Sequence, residues 1–199
     1  MYINVSRKPS KTIRKMKWEI LKVYKPIEKD ELPLAKKTIE AKVYEKLKPL
    51  GFKKIGKKFY RVSNDLIHFI FLDSRGSWSG SSNNVKTLVA VISIYDTDIL
   101  INNYEPISNS YLQDLDNNLK NYYQITQEYE LFSEFLSSKI VELLIPYFNK
   151  YESSFDVIKK GITIGKTTNL IELCNKAVNQ ENQNELEELK YNVLKKLKL

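Results

Sequence analysis

Two runs of the chain, residues 66–72 (LIHFIFL) and 87–95 (TLVAVISIY), are apolar at almost every position. β-Branched and aromatic residues dominate both runs, and both are short for a helix. The Gly/Ser/Asn-rich stretch 74–84 (SRGSWSGSSNN) separates them as a loop. A strand with one wet face alternates apolar and polar residues, and these two do not. Both are therefore expected in the middle of a sheet, with something packed on each face.

The flanking segments supply that packing. After Pro33, apolar residues including Leu34, Ile39, Ala41, Val43, Leu47 and Leu50 fall near helical spacing. Pro49 and Gly51 end this helix, because proline cannot continue it and glycine takes the left-handed closing conformation. Residues 52–55 and 57–62, parted by Gly56, read as a hairpin or bulged strand pair. Residues 122–126 (YYQIT) are a further short strand. From Glu128 a helix runs to about Ile145 on Phe132, Phe135, Leu136, Ile140, Leu143 and Leu144, with Pro146 stopping it. Residues 151–160 form a short helix. Residues 169–178 and 184–197 form a helical hairpin with Asn169 and Asn184 as N-caps and Leu186, Leu189, Val193, Leu194 and Leu197 as its inner stripe.

The order helix, strands, helices predicts an α+β fold: an antiparallel β-sheet of about four to five strands packed with helices, ending in a helical C-terminal hairpin. The expected organisation is a basic N-terminal arm over 1–33, an α+β domain over 34–165, and the hairpin over 166–199 packed on that domain.

Charge is unevenly spread. The net charge is +8 over 199 residues, yet residues 1–37 carry +7, 38–95 carry +6, 96–156 carry −8 and 157–199 carry +3. Such a bipolar chain invites a charged partner. Residues 1–20 are basic and polar, without the apolar core of a secretory signal, and no run reaches membrane-spanning length. A cytoplasmic protein without membrane contact is expected. The abundance of Lys, Asn, Ile and Tyr suggests an AT-rich bacterial source.

Chemistry-bearing residues are sparse. One cysteine, Cys174, excludes an internal disulfide, and one histidine, His68, removes mechanisms that need paired imidazoles. His68 lies in an apolar strand, as a core group hydrogen-bonded once. Asp65 and Asp73 lie an odd number of positions from it, hence on the opposite face. Cys174 sits on an apolar helix stripe as an inert buried thiol. Asp96 and Asp98 follow a strand and serve turn geometry rather than a metal. Residues 161–168 (GITIGKTT) place three residues between Gly161 and Gly165, one short of a phosphate loop. The sequence nominates no catalytic residue, no metal ligand set and no cofactor site.

Residues 46–61 carry seven basic side chains and no acid. Lys53, Lys54, Lys57, Lys58 and Arg61, with Arg75 and Trp78 from the following loop, make the candidate binding surface. Two readings compete. The lysines could contact phosphates while Phe59 and Tyr60 stack on bases. Alternatively they keep a hairpin soluble and its edge unpaired. Phe52, Phe59 and Tyr60 alternate in direction, so at least one belongs to the core.

The residues Leu47, Pro49, Leu50, Gly51, Phe52, Lys53, Lys54, Tyr60 and Arg61, with residues 67–72 as the next strand, resemble a bacterial family, domain of unknown function 4304. Residues 145–161 (IPYFNKYESSFDVIKKG) are similar to that family's helix end and following short helix. The resemblance covers roughly residues 38–161. It departs at Asp73, where the family often has glutamine before a loop serine. It implies an α+β domain and no established activity, so no catalytic residue is carried across.

The resulting expectation is a non-enzymatic protein-interaction module, immunity- or antitoxin-like in its concrete form, with a protein partner or a homodimer. The alternative is a nucleic-acid-binding protein using the N-terminal arm and the 46–61 hairpin. An enzyme would need Asp73, Arg75 and His68 gathered in one pocket.

Overall fold

The computed structural model describes residues 27–74, 83–97, 110–120, 123–159 and 167–199, with side chains of the last segment from Leu170. Among the described residues the first element is helix α1 (Leu32–Leu47), then a 3-10 turn (Lys48–Leu50), followed by β1 (Lys53–Ile55), β2 (Lys58–Ser63), β3 (Leu66–Asp73) and β4 (Asn84–Ser93). Strand β5 (Ser110–Tyr111), a second 3-10 turn (Leu112–Leu115) and β6 (Tyr123–Gln124) lead to helices α2 (Tyr129–Phe148), α3 (Ser154–Lys159), α4 (Thr167–Val178) and α5 (Gln183–Leu197). The strands form one antiparallel sheet in the order β1-β2-β3-β4-β5, and β6 also pairs with β4. The fold is α+β. Its four longer strands and the short β6, within the expected 122–126, are those read from the sequence; the two-residue β5 is an addition, and β5 and β6 lie at the far edge.

The two apolar runs are the two central strands, and both their faces are closed. On one face Leu66, Ile70, Leu72, Val85, Val89 and Val91 pack with Ile39, Val43 and Leu47 of α1 and with Phe132, Leu136, Ile140 and Leu144 of α2. On the other, Ile67, Phe69, Phe71, Ala90 and Ile92 form a second cluster with Val193 and Leu197 of α5. Each large side chain so buried stabilises the fold by roughly 1.5–3 kcal/mol before entropy is counted. That two-sided demand explains the missing polar alternation.

Several boundaries differ from the sequence reading. The buried stripe of α1 is Ala35, Ile39, Val43 and Leu47, a strict four-residue repeat. Leu34 is 59% exposed and Ala41 is exposed as well, so neither belongs to it. The end of α1 is as expected: Pro49 sits in the 3-10 turn, and Gly51 closes that turn at φ 85°, as glycine allows. Pro146, by contrast, lies inside α2, which runs on to Phe148 and closes through Asn149 N–H to the Ile145 carbonyl. A proline in the last turn forfeits one hydrogen bond near an end that frays anyway. Helices α4 and α5 begin ahead of Asn169 and Asn184, so these asparagines are not caps; Asn182, at φ 49°, precedes α5. Residues 1–26 of the expected arm, the loop residues Arg75 and Trp78, Asp98 and most of the 161–168 stretch lie outside the described residues.

Candidate binding surface

The β1–β2 hairpin distributes the cations of 46–61 over two faces. Register pairs Lys54 with Phe59 and Lys53 with Tyr60, and Arg61 lies opposite His68 across β2 and β3. Side chains alternate along a strand, so Lys54, Phe59 and Arg61 share the α1/α2 face while Lys53, Lys58 and Tyr60 share the other. Both hairpin aromatics, Phe59 and Tyr60, are buried, and so is Phe52. They are core residues and offer no stacking platform, which corrects the base-stacking part of the nucleic-acid reading.

Most of the cations have internal work. Lys54 Nζ forms an ion pair with Glu40 of α1 at 3.1 Å. Lys57 Nζ, in the Gly56 turn, donates to Ser74 Oγ at 2.9 Å. Lys58 Nζ stands 5.7 Å from the centre of the Phe71 ring. Within the hairpin Lys53 is exposed rather than half-buried, as are Lys46 and Lys48 ahead of it. Short, lysine-bearing β1 forms one end of the sheet order, where charge discourages further strand pairing.

Arg61 is the most deeply engaged. Its guanidinium carbon lies 5.0 Å from the centre of the Phe52 ring and 6.0 Å from that of Phe148. Its Nε donates to His68 Nδ1 at 3.0 Å and its Nη1 to the Leu50 carbonyl at 3.5 Å. The His68 ring stacks on Phe148 with centroids 4.5 Å apart and planes 12° apart. Since Nδ1 accepts, His68 holds its proton on Nε2. That nitrogen is buried with no hydrogen-bond partner among the described residues. Burial, and secondarily the Arg61 charge, hold the imidazole down at about 3, so it is neutral near pH 7. Asp73 is on the other face of β3, and the strand itself keeps it from His68.

A second polar group joins the far end of the sheet to the C-terminal helices. Ser154 N–H donates to both carboxylate oxygens of Asp65, at 3.1 and 3.0 Å, and Ser154 Oγ donates to the Asp65 carbonyl at 2.9 Å. Ser93 Oγ lies 2.6 Å from Ser154 Oγ and accepts from Tyr95 N–H. Cys174 is buried beside these hydroxyls, and burial pushes its thiol up to about 11. A neutral, enclosed thiol is a poor nucleophile. The described part of the 96–98 turn is simple: Asp96 N–H bonds the Ser93 carbonyl.

Among the described residues, no group of three or more His, Cys, Asp and Glu is placed to hold a metal ion, and no helix is long and apolar enough to cross a membrane. No family model, curated protein or solved structure matches the chain.

The sequence reading missed the acidic side of α2 as a surface in its own right. Glu130, Leu131, Glu134, Ser138 and Glu142 are exposed along it, and Leu131 is 49% exposed. Their spacing of three, four and eight positions was the available signal, since it places acids and a leucine on one side of a helix.

Proposed function

We propose that the chain is a non-enzymatic protein-interaction module whose concrete role is immunity- or antitoxin-like docking onto a basic protein. The observation that supports it is the exposed stripe Glu130, Leu131, Glu134, Ser138 and Glu142 on α2. Carboxylates around an exposed leucine supply steering charge and a desolvating contact together. Glu134 and Glu142 are paired with Lys42 and Lys139, but surface pairs of this kind hold weakly and yield to a partner's arginines or lysines. The same segment, 96–156, contains the chain's acidic excess. We also read residues 38–161 as a domain of the 4304 type, on the strength of the helix stop and strand start at Leu47–Phe52; that family brings no activity with it.

The test is co-expression with the product of the adjacent gene, followed by size-exclusion chromatography and titration calorimetry. A 1:1 complex is expected, with affinity falling with salt and lost in a Glu130→Lys, Leu131→Asp, Glu134→Lys variant. A monodisperse monomer that forms no complex, or a complex indifferent to these changes, rejects the reading.

A further inference from the structure

Two ammonium groups from separate elements converge on Ser74 at the end of β3. Lys57 Nζ reaches Ser74 Oγ at 2.9 Å from the β1–β2 turn, and Lys36 Nζ reaches the Ser74 carbonyl at 3.4 Å from α1. Neither lysine has a salt bridge among the described residues. Their mutual repulsion is felt, because burial and then the Lys57 charge push the Lys36 ammonium below its ordinary value. Glu40 offsets this in part, yet its carboxylate is engaged by Lys54 at 3.1 Å.

The donor count is the decisive feature. Each ammonium carries three N–H groups and uses one on Ser74. Ser74 Oγ accepts from Lys57, which leaves its own O–H to donate, and Ser74 is only 7% exposed. A water-sized crevice between α1 and the sheet, lined by Lys36, Ile39, Glu40, Leu72, Ser74 and Val85, opens beside them. Donors from three elements meet at Ser74, Lys36 on its carbonyl and Lys57 on its hydroxyl, with positive charge in excess among the described residues.

We propose that Lys36, Lys57 and Ser74 form a binding site for a phosphate-type oxyanion, seated at the mouth of the crevice. A tetrahedral oxyanion presents acceptors in several directions, which suits two point-charge ammoniums and a hydroxyl approaching separately. Lysine binds phosphate as a point charge, without the planar two-point match an arginine makes, and the Ser74 hydroxyl adds a third donor. The site is independent of the acidic α2 stripe, so either can fail without the other.

Inorganic phosphate is the probe, titrated into the full chain at constant ionic strength against sodium chloride. The expected result is a saturable rise of about 2–5 °C in the unfolding midpoint with phosphate and none with chloride. Lys57→Met and Lys36→Met should each weaken the response, Lys57→Arg should keep it, and Lys53→Met should leave it unchanged. Both lysines are part-exposed, so the methionine variants are expected to fold, and circular dichroism checks this. A flat phosphate titration, an equal response to chloride, or a response that survives the Lys36→Met/Lys57→Met double change overturns the site. A Lys57-dependent rise with a short oligonucleotide but not with phosphate also overturns it, in favour of a nucleic-acid backbone.

Discussion

Arg61 Nε donates to His68 Nδ1 at 3.0 Å across neighbouring positions of β2 and β3; this bond fixes the histidine's tautomer, while burial, with the arginine's charge second, keeps the ring neutral. A protonated His68 would present a second N–H to the arginine and place two cations against the Phe148 ring. The folded protein therefore holds the imidazole neutral down to about 3, whereas the unfolded chain takes up a proton near 6.5. Between those values the unfolded state binds more protons, so stability falls as pH falls. Below the folded value the contribution levels off.

The window from pH 7 to pH 5 isolates this effect, because carboxylates titrate mainly below it. Urea unfolding of the wild type is expected to lose about 2 kcal/mol across that window, at roughly 1.4 kcal/mol per pH unit below the unfolded value. His68→Gln keeps an acceptor for Arg61 without a titrating ring, and its loss over the same window should be much smaller. Equal losses in both proteins would show that His68 is not the group responsible.

The glycines of the hairpin give a purely conformational test. Gly51 closes the turn after α1 at φ 85°, and a Cβ built there would meet Arg61 Cδ at 3.8 Å, an ordinary contact. Gly56 sits at φ 60° with nothing within 4 Å of such a Cβ. Alanine at either position should therefore cost about 1–2 kcal/mol from backbone strain alone. Chemical denaturation checks the value, and Gly51→Asn should cost less than Gly51→Ala, since asparagine tolerates the left-handed region. A loss well above that range would reveal a packing role.

The sheet was legible in the sequence because its central strands have no polar face to offer, a pattern few other arrangements accept. The helix α1 was legible in extent but not in face. Leu34 and Ala41 fit a loose helical spacing as well as Ala35 does, and only the sheet beneath decides which side is buried. The cationic hairpin was visible as composition, while its division between two faces required the strand register. Ser63 pairs with Leu66 around Asn64 and Asp65, and that turn places Arg61 opposite His68. The Lys36–Lys57–Ser74 group joins residues 17 and 38 positions apart, and no local pattern announces such a meeting.

Nucleic-acid binding through the hairpin is expected to be weak and non-specific. Phe59 and Tyr60 are buried, and Lys54, Lys58 and Arg61 have contacts within the fold, so few cations are left to release counterions together. Gel shifts at low and moderate salt, with Lys53, Lys54, Lys57 and Lys58 changed to alanine, measure this. Tight binding whose salt slope drops by several units in the quadruple variant would restore the hairpin as a nucleic-acid grip.

The junction of Asp65, Ser93 and Ser154 is expected to set the attachment of the C-terminal helices. Ser154 Oγ donates to the Asp65 carbonyl, so the short Ser93–Ser154 bond runs with Ser93 as donor, and Tyr95 N–H feeds Ser93 in turn. Each of the two hydroxyls in this buried chain has both a donor and an acceptor partner, which is the condition under which such networks stabilise. Ser154→Ala leaves the Ser93 hydroxyl without its acceptor and should cost about 1–3 kcal/mol. Asp65→Ala removes the carboxylate that receives the Ser154 N–H and should cost a similar amount. Because both changes break one network, the double variant should lose less than the two single losses combined in chemical denaturation.

Cys174 reports on the same place. Its thiol is held up to about 11 by burial against an ordinary 9.0, so native protein at pH 8 should react with a thiol reagent far more slowly than unfolded chain. The same shift makes stability decline as pH rises from about 9 towards 11, since the unfolded thiol ionises first. In Ser154→Ala the native thiol should react faster, as local opening of α3 and α4 becomes easier. Unchanged thiol protection in that variant, alongside a measurable loss of stability, would separate the hydroxyl chain from the docking of the helices.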